Sequence, residues 1–493
     1  MIIKSILKNT LLGLGGTMAV MTPVIALSAC STGNPVEGNG FSKDKIGVYV
    51  EQTWRSTFEK AIKIYNEQAT GRTEIQLLEM PAFDAVGLVD TLGFNDQKVA
   101  DLIYMPLDRI PVLSQDKKAL MAFDTVDKLT DGMEVSIFDT DGDKTASSAE
   151  KAAFANVGKG NVQVGDVTKD AYFAFNHNVE ALIAYTKGTA TAATTLDQVI
   201  NETNTDKWAN SMYSAEFFNL WPSLGFIGGF LGTQDGAAVG NALMKFNETT
   251  GKYESSMANI AGTGKLTAEV QQLKDLVIFI ANSINQAAVH GQDWMVQGGD
   301  VFYSQTEKLF KEKANGLIID GPWNKNKWAA TGVDVKAVPN IIADKTYTQA
   351  PGGWVYGINA RNSKDEKRVA DMKDFLDILL TSKEVVADQY NNIGKVIAGA
   401  EAKKILEDKT VITEAFDQKL IAAVYQGVAN SMNARPDNGN SKFSNVWAAW
   451  DEAGFRDKAN QDELKKITGF NADIVVQNIA KSFENVLKRL NTK

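Results

Sequence analysis

The chain has 493 residues, 44% of them hydrophobic and 23% charged, so it can bury a large core and is too long for one typical domain. Its formal net charge of −9 argues against nucleic acid as a partner, because phosphate recognition needs a basic face. With one cysteine and two histidines, the chain cannot form an internal disulfide, and a structural zinc site is not expected. We therefore expect two or three compact units held together by packing alone.

The first 30 residues have the pattern of a lipoprotein export signal. Lys4 and Lys8 provide a positive start, and an uncharged apolar run begins near Thr10. The run ends in the string Leu-Ser-Ala-Cys, in which small residues precede Cys30. A charged start, an apolar middle and a small-residue cleavage site are typical of secretory signals. In the lipoprotein variant the cysteine sulfur carries a diacylglycerol and becomes the new N-terminus.

This pattern predicts a signal peptide over residues 1–30 and lipid attachment at Cys30. The protein would then be anchored by lipid on the extracellular face of the cell membrane. Residues 31–45, rich in Gly, Asn and Ser, are predicted to be a flexible linker. The alternatives for this region are a single transmembrane helix and a buried free thiol.

From Ile46 onward, short apolar strands alternate with amphipathic helices, which is the rhythm of parallel β-α-β units. In open sheets of this kind, ligands bind outside the carboxyl ends of the strands. The predicted elements of the first part are a strand over 46–50, a helix capped by Thr53 or Ser56, and strands over 73–78 and 101–104.

The second part keeps the same rhythm. A strand over 316–320 ends in the rigid turn Gly321-Pro322-Trp323. Ser363 and Glu366 have the spacing of a capping box at the start of a helix. The final helix carries an apolar stripe formed by Val475, Ile479, Phe483, Val486 and Leu490.

Several short motifs occur in the order and approximate spacing of one protein family: Tyr104–Ile110, Val179–Tyr185, Gly321–Trp323 and Gly357–Ala360. On these motifs the chain resembles the maltose/maltodextrin-binding proteins, the family 1 extracellular solute-binding proteins of ABC importers. The resemblance runs from about Ile46 to the C-terminus, apart from an insertion after Phe123. It implies an α/β, two-lobed periplasmic-binding-protein fold of type II, with crossing hinge segments between the lobes and a sugar in the cleft.

The resemblance also implies a domain organisation and partners. The N-terminal lobe is expected over 46–180 and 342–394, with an insertion over 124–170. The C-terminal lobe is expected over 181–341 and 395–493. A carbohydrate ligand, the permease subunits of an ABC transporter and the membrane, through the lipid on Cys30, are the expected partners of a monomeric protein.

A sugar offers hydroxyl groups at its edge and apolar patches on its faces, so aromatic planes and charged hydrogen-bonding groups suit it. Matching the family site residue by residue gives candidates with both properties. Alternatives remain open for three of them: a loop salt bridge for Asp108 and Arg109, and core packing for Phe218. Trp450 competes with Trp447 as the last aromatic contact. The candidates implied by the resemblance are Asp108, Arg109, Glu180, Glu216, Phe218, Trp323 and Trp447.

The chain departs from the family pattern in three places, which involve four residues. Met105 stands where the family has a tryptophan before its Asp-Arg pair, and Thr53 and Trp54 align with its Asp-Lys pair. A tyrosine of the family is Phe218 here, which keeps the ring and loses the hydroxyl. With Trp54 and Met105 included as site candidates, the subsites are expected to differ, so maltose itself is not assured as the ligand.

The insertion contains a calcium-like pattern. Asp139, Asp141 and Asp143 occupy positions 1, 3 and 5 of an EF-hand loop, Thr145 position 7 and Glu150 position 12. The usual glycine at position 6 is a lysine, and the flanking 136–138 segment suggests an extended chain rather than a helix. No cofactor is required by the predicted function, and a structural Ca²⁺ is the one candidate. The alternative is an acidic solvated turn.

We find no recognisable catalytic motif in the sequence. The nucleophile elbow, the zinc-protease helix and the phosphate-binding loop are all absent. We therefore predict a lipid-anchored binding protein, not an enzyme, that delivers a maltodextrin-like saccharide to an ABC importer. One alternative is the same fold with another solute, such as a polyol, a glycerophosphodiester or a peptide. Another is a calcium-dependent surface enzyme or adhesin.

Overall fold

The computed structural model describes residues 40–164, 167–205, 208–329 and 332–492. The predicted signal peptide, Cys30 and most of the predicted linker lie outside the described residues. The last linker residues pack on the folded body, because Phe41 is only 3% exposed and its ring lies 4.8 Å from that of Tyr49. Packed structure therefore extends N-terminally of Ile46.

The elements follow one another in three groups. The first group is β1 (Ile46–Val50), α1 (Arg55–Gln68), β2 (Ile75–Glu79), α2 (Ala82–Leu92), β3 (Leu102–Pro106), α3 (Val126–Thr130), α4 (Ser148–Ala155), β4 (Lys159–Val164), β5 (Val167–Tyr172) and β6 (Phe175–Glu180). The second group is β7 (Ile183–Lys187), α5 (Leu196–Asn204), β8 (Ser211–Ser214), α6 (Leu220–Leu231), α7 (Gly236–Leu243), β9 (Lys245–Asn247), β10 (Lys252–Glu254), α8 (Ala268–Val289), α9 (Gly299–Glu312), β11 (Asn315–Asp320), α10 (Lys325–Ala329) and β12 (Asp334–Ala337).

The third group completes the chain with β13 (Gly352–Ile358), α11 (Glu366–Thr381), α12 (Lys383–Ile393), β14 (Val396–Ile397), α13 (Ala400–Glu407), α14 (Ala415–Ala429), α15 (Ser444–Trp450), α16 (Lys458–Leu464) and α17 (Ala472–Asn491). Among all the described helices, none combines the length and the apolar character that crossing a bilayer requires.

Two separate sheets define two lobes. The first lobe is built on a six-stranded sheet in the order β14-β6-β13-β3-β1-β2, and the second on a four-stranded sheet in the order β12-β7-β11-β8. The chain crosses between them from β6 to β7 and from β12 to β13. It crosses a third time between α13, which packs on α11 and β14, and α14, which packs on β12 of the second sheet. Strand β14 and helix α13 pack with the first lobe, beyond residue 394, where that lobe was predicted to end.

The strands form where short apolar runs can be buried on both faces of the sheet. All five residues of β1 are buried, and β1 pairs in parallel with β2 and β3. The predicted strands at 73–78, 101–104 and 316–320 correspond to β2, β3 and β11 with shifts of one or two residues. This arrangement brings the carboxyl ends of β1 and β3 to one edge of the first sheet.

Two predicted helix caps are wrong. Helix α1 begins at Arg55 and has no side-chain cap, so neither Thr53 nor Ser56 serves that role. Helix α11 is capped by Asp365, whose side chain accepts a hydrogen bond from the backbone N–H of Arg368. The predicted cap Ser363 instead ends a short 3₁₀ turn before the helix. Several neighbouring polar residues can each serve as a helix cap, and tertiary packing decides which of them does so.

Candidate functional site

A row of aromatic side chains lines the carboxyl edge of the first sheet. Trp54 follows β1 in a 3₁₀ turn, and its ring meets that of Tyr104 edge-on at 5.5 Å. Tyr104 in turn stacks on Trp354 of β13 at 4.9 Å and 24°. Phe83, at the start of α2, contacts Trp354 at 5.0 Å and is 49% exposed. The row thus runs from the buried interior to the protein surface.

A buried ion pair lies beside this row. Glu180, at the end of β6, accepts hydrogen bonds from Lys395 Nζ at 3.1 Å and from Asn178 Nδ2 at 3.0 Å. The Lys395 ammonium also lies 5.6 Å from the ring centre of Trp54 and 5.3 Å from that of Trp354. Glu180 and Lys395 are each 8% exposed. One lysine therefore joins the candidate carboxylate to two aromatic rings.

Two tryptophans of the second lobe face each other near the same place. Trp221 is the second residue of α6, and Trp323 lies in the turn after β11. Both rings are half-buried, with centroids 6.0 Å apart. The Trp221 ring lies against Gly352, since a Cβ on Gly352 would be 2.3 Å from Trp221 Cζ2. Gly352 pairs with Glu180 in the first sheet, so the tryptophan pair lies near the Glu180–Lys395 ion pair. Both pairs are located where β6 and β13 join the two lobes.

The acidic candidate of the second lobe is held in a polar cluster. Glu216 accepts hydrogen bonds from Asn219 Nδ2 at 3.1 Å and from the Tyr303 hydroxyl at 3.2 Å. Burial raises the pKa of Glu216 to about 7, against the lowering effect of these two donors. Asp320 and Asp451 add negative charge nearby and raise it further. Glu216 can therefore offer a protonated or an ionised carboxyl group near neutral pH.

The two neighbouring candidates Asp108 and Arg109 have different partners in the structure. Arg109 forms an ion pair with Asp90 of α2, so it does not form the loop salt bridge with Asp108 that was the alternative for these two residues. Asp108 is half-buried, and burial raises its pKa although the Arg109 charge opposes the shift. Arg435 also lowers the pKa of Asp108, whereas Asp437 raises it. The structure thus places Asp108, but not a preformed Asp108–Arg109 pair, at the end of β3.

Three candidate side chains are buried away from open surface. Met105 is fully buried in the core, on the opposite side of β3 from Tyr104. Phe218 is 3% exposed and contacts Phe302 at 5.7 Å between ring centroids. Trp450 is also fully buried, and its Nε1 donates to the Phe217 carbonyl at 3.0 Å. All three side chains have almost no exposed surface in this structure.

Trp447, by contrast, is half-buried on α15 and packs against the core of the second lobe. Of the two competing tryptophans of α15, it is the one with exposed surface. Trp354 and Lys395 were not predicted from the sequence as site residues. Trp354 could have been found from the alternation of β13, which puts Trp354 and Tyr356 on the same face as Tyr104. Nothing in the local sequence marks Lys395.

The insertion brings three of the predicted calcium ligands together. Carboxylate oxygens of Asp139, Asp141 and Asp143 all lie within 4.8 Å of one another. Glu150 is used differently: it forms the capping box of α4 with Ser147 and also accepts from Thr140. These hydrogen bonds lower the pKa of Glu150 to about 2, the Thr140 hydroxyl contributing most.

The flanks of this loop are also not as expected. The 136–138 segment overlaps a 3₁₀ turn over Val135–Ile137 instead of being extended, and α4 follows the loop directly. Thr145 donates through its backbone and its hydroxyl to Asp143. Calcium binding at this loop therefore stays a prediction.

The fold is that of the two-lobed maltose-binding proteins. Three solved structures superpose with it: MalE of Listeria monocytogenes with maltose (TM-score 0.58, 14% identity, 92% of this chain and 100% of that one), MalX of Streptococcus pneumoniae with maltopentaose (0.57, 17%, 90% and 100%), and a cyclo/maltodextrin-binding protein with maltotetraose (0.56, 14%, 92% and 98%). At these identities the likeness establishes the fold alone.

The sequence is similar along nearly its whole length to two relatives. It is 21% identical over 484 residues to a maltooligosaccharide ABC transporter solute-binding lipoprotein of Streptococcus pneumoniae R6, covering 95% of this chain and 97% of the relative. The protein of the same name from strain TIGR4 is 21% identical over 475 residues, covering 93% and 95%. No protein-family model matches the chain. The resemblance drawn from the sequence motifs is confirmed by these relatives.

Proposed function

We propose that this protein is the solute-binding component of an ABC importer and captures a saccharide of the maltodextrin class. One observation carries the proposal: aromatic surfaces of both lobes meet at the crossing strands. From the second lobe, the Trp221 ring of the Trp221–Trp323 pair lies against Gly352. In the first lobe, Trp54 and Trp354 lie beside the Lys395 ammonium, which pairs with Glu180, the sheet partner of Gly352. Aromatic planes flanking hydrogen-bonding groups suit a ligand with apolar faces and a rim of hydroxyls.

The charges at the site favour a neutral ligand. Lys395 is paired with Glu180, and Arg109 is paired with Asp90. Arg456, which lies over the Phe218 ring, is paired with Asp451. A phosphodiester would need a cation free to pair with it. Breaking the buried Lys395–Glu180 pair is costly, and the partly exposed Arg109 and Arg456 are already paired with carboxylates. The glycerophosphodiester alternative is therefore less favoured than a saccharide.

Ligand capture would stabilise the closed arrangement of the lobes, because both lobes then contribute contacts to the same molecule. The closed form is the one we expect the permease subunits to recognise. We propose further that the protein is anchored through lipid on Cys30 at the extracellular face of the membrane, as its sequence predicts. The names of its relatives, which are lipoproteins, support this location.

The proposal is tested by isothermal titration calorimetry of the protein without its first 30 residues. Linear maltodextrins of increasing length are titrated beside a polyol, a glycerophosphodiester and a peptide. We expect micromolar to submicromolar dissociation constants for at least one maltodextrin and no heat from the other three classes. Binding of one of those classes with no maltodextrin bound would replace the proposal.

Chromatography of the titrated saccharide distinguishes binding from catalysis. We propose a binding protein without hydrolytic activity, so the maltodextrin should be recovered at its original length after prolonged incubation. Shortened products that disappear in a Glu216→Gln variant would instead support the surface-enzyme alternative, with Glu216 as its acid.

A further inference from the structure

Lys395 is a buried lysine whose ammonium is surrounded by side chains of the candidate site. It is 8% exposed and pairs with Glu180 at 3.1 Å. The same ammonium lies over the rings of Trp54 and Trp354, at 5.6 and 5.3 Å from their centres. Among the described residues, these are all of its ion-pair, hydrogen-bond and ring contacts.

Burying an ammonium group costs free energy unless its partners replace water. One carboxylate and two indole faces provide that replacement, since an indole face is the best aromatic partner for a cation. The backbone holds the lysine in place: Gly394 before it adopts a left-handed conformation (φ +73°) that ends α12. Val396 after it enters β14, which pairs with β6 next to Glu180.

Another buried lysine of the same lobe shows what a purely structural role looks like. Lys373 is 6% exposed and donates to the carbonyl oxygens of Lys128 and Asp131 at 3.1 and 2.8 Å. It thereby satisfies backbone groups at the end of α3. It also lies over a ring, that of Phe123, at 5.4 Å. The Lys395 ammonium has no such backbone partner among the described residues, so its contacts order side chains instead of the ends of helices.

We propose that Lys395 is the positioning residue of the first-lobe half of the saccharide site. It fixes the carboxylate of Glu180 and orients the indoles of Trp54 and Trp354 before the ligand arrives. The inference rests on the proposed function for the identity of the ligand. Two consequences follow. The site is preorganised, so less free energy is lost on binding. The ammonium also covers one face of each indole, so a sugar must contact the remaining surfaces of these rings.

The test compares Lys395→Met with Lys395→Arg and with the control Lys373→Met. Each variant is measured by calorimetry with the best-bound maltodextrin, by tryptophan emission without ligand, and by thermal melting. For Lys395→Met we expect affinity to fall at least tenfold and the ligand-free emission spectrum to change, because two indoles lose a neighbouring cation. Lys395→Arg should lose less affinity than Lys395→Met, since the guanidinium retains the charge and can stack on the indoles.

The control separates positioning from general stability. Lys373→Met should lower the melting temperature yet leave affinity and emission as in the wild type. If Lys395→Met does not fold, Lys395→Gln takes its place in the same assays. Wild-type affinity and emission in the Lys395 variant, or equal affinity losses in both lysine variants, would overturn the inference. If the wild type binds no saccharide, the proposed function fails, and the emission measurement alone then decides the role of Lys395.

Discussion

Gly394 of the first lobe lies directly against the backbone of Trp323 in the second lobe. A Cβ on Gly394 would be 2.8 Å from the Pro322 carbonyl oxygen and 3.1 Å from Trp323 Cα. Gly394 is also the left-handed C-cap of α12, with φ of +73°. The two lobes are therefore in contact at Gly394, which precedes Lys395 in the first lobe, and at Trp323 in the second. The contact leaves no room for a side chain on Gly394.

Replacing Gly394 with alanine should cost both stability and affinity. The left-handed backbone disfavours alanine by about 1 kcal/mol, and the added methyl pushes the Trp323 turn away from the first lobe. We expect a lower melting temperature and a maltodextrin affinity reduced by about fivefold or more. Gly232→Ala is the matched control, because Gly232 is the left-handed C-cap of α6 (φ +65°) with nothing within 4 Å of its added Cβ. The control should lose stability only; equal affinity losses in the two variants would contradict the contact.

Removing the Trp323 ring should weaken saccharide binding at least tenfold. A stacking aromatic contributes about 1–2 kcal/mol to binding by area burial and ring geometry. Trp323→Ala is measured by calorimetry beside Phe246→Ala, which removes another aromatic ring of the second lobe, 50% exposed and paired only with Tyr253 among the described rings. Phe246→Ala should bind as the wild type does. Unchanged affinity in Trp323→Ala would remove Trp323 from the proposed site.

The alternation of strands and helices was predictable because it depends on local patterns. The apolar run 46–50 is β1 residue for residue, and the final stripe lies on α17, where Val475, Ile479, Phe483 and Val486 are buried. The prediction of helix caps was wrong where several polar residues compete for one helix start, as they do before α11, which Asp365 caps. The type II two-lobed fold came from the family resemblance, and the solved structures bear it out.

The candidate site was harder to predict, because its contacts join distant parts of the chain. Trp54, Glu180, Trp323 and Trp447 could be matched to family positions, whereas the partners of a side chain could not be read from the sequence. Arg109 pairs with Asp90, 19 residues earlier, and Glu180 pairs with Lys395, 215 residues later. Met105 was a candidate by alignment, but its place in β3 directs it into the core.

The calcium prediction for the 139–150 loop is tested by thermal melting with millimolar Ca²⁺, with Mg²⁺ as the control. Three carboxylates within 4.8 Å repel one another, and a bound cation would relieve that repulsion. We expect Ca²⁺ to raise the melting temperature of the wild type and not that of Asp141→Ala. In Glu150→Gln the capping box can persist, so a lost response there would identify Glu150 as a ligand. No response in the wild type would leave the loop as an acidic turn.

Asp377 should make the stability of the protein fall as pH rises. Its side chain is buried in α11, and burial raises its pKa to about 8, against the hydrogen bond from the Glu134 backbone N–H. The folded state thus holds a proton that the unfolded state releases near pH 4, so unfolding becomes easier as pH rises from about 4 to about 8. Asp377→Asn does not titrate. Its advantage in unfolding free energy should grow with pH, by at most about 1.4 kcal/mol per unit.

The comparison is made by melting both proteins at pH 5 and at pH 8, with Asp371→Asn as the control from the same helix. Burial alone would raise the pKa of Asp371, but hydrogen bonds from Lys367 and Thr73 outweigh it and lower the pKa. That carboxylate is stabilising when ionised, a contribution present above its unfolded pKa and lost only in acid. Asp371→Asn should therefore lower the melting temperature at both pH values. A constant difference between Asp377→Asn and the wild type would show that Asp377 is already ionised in the folded protein.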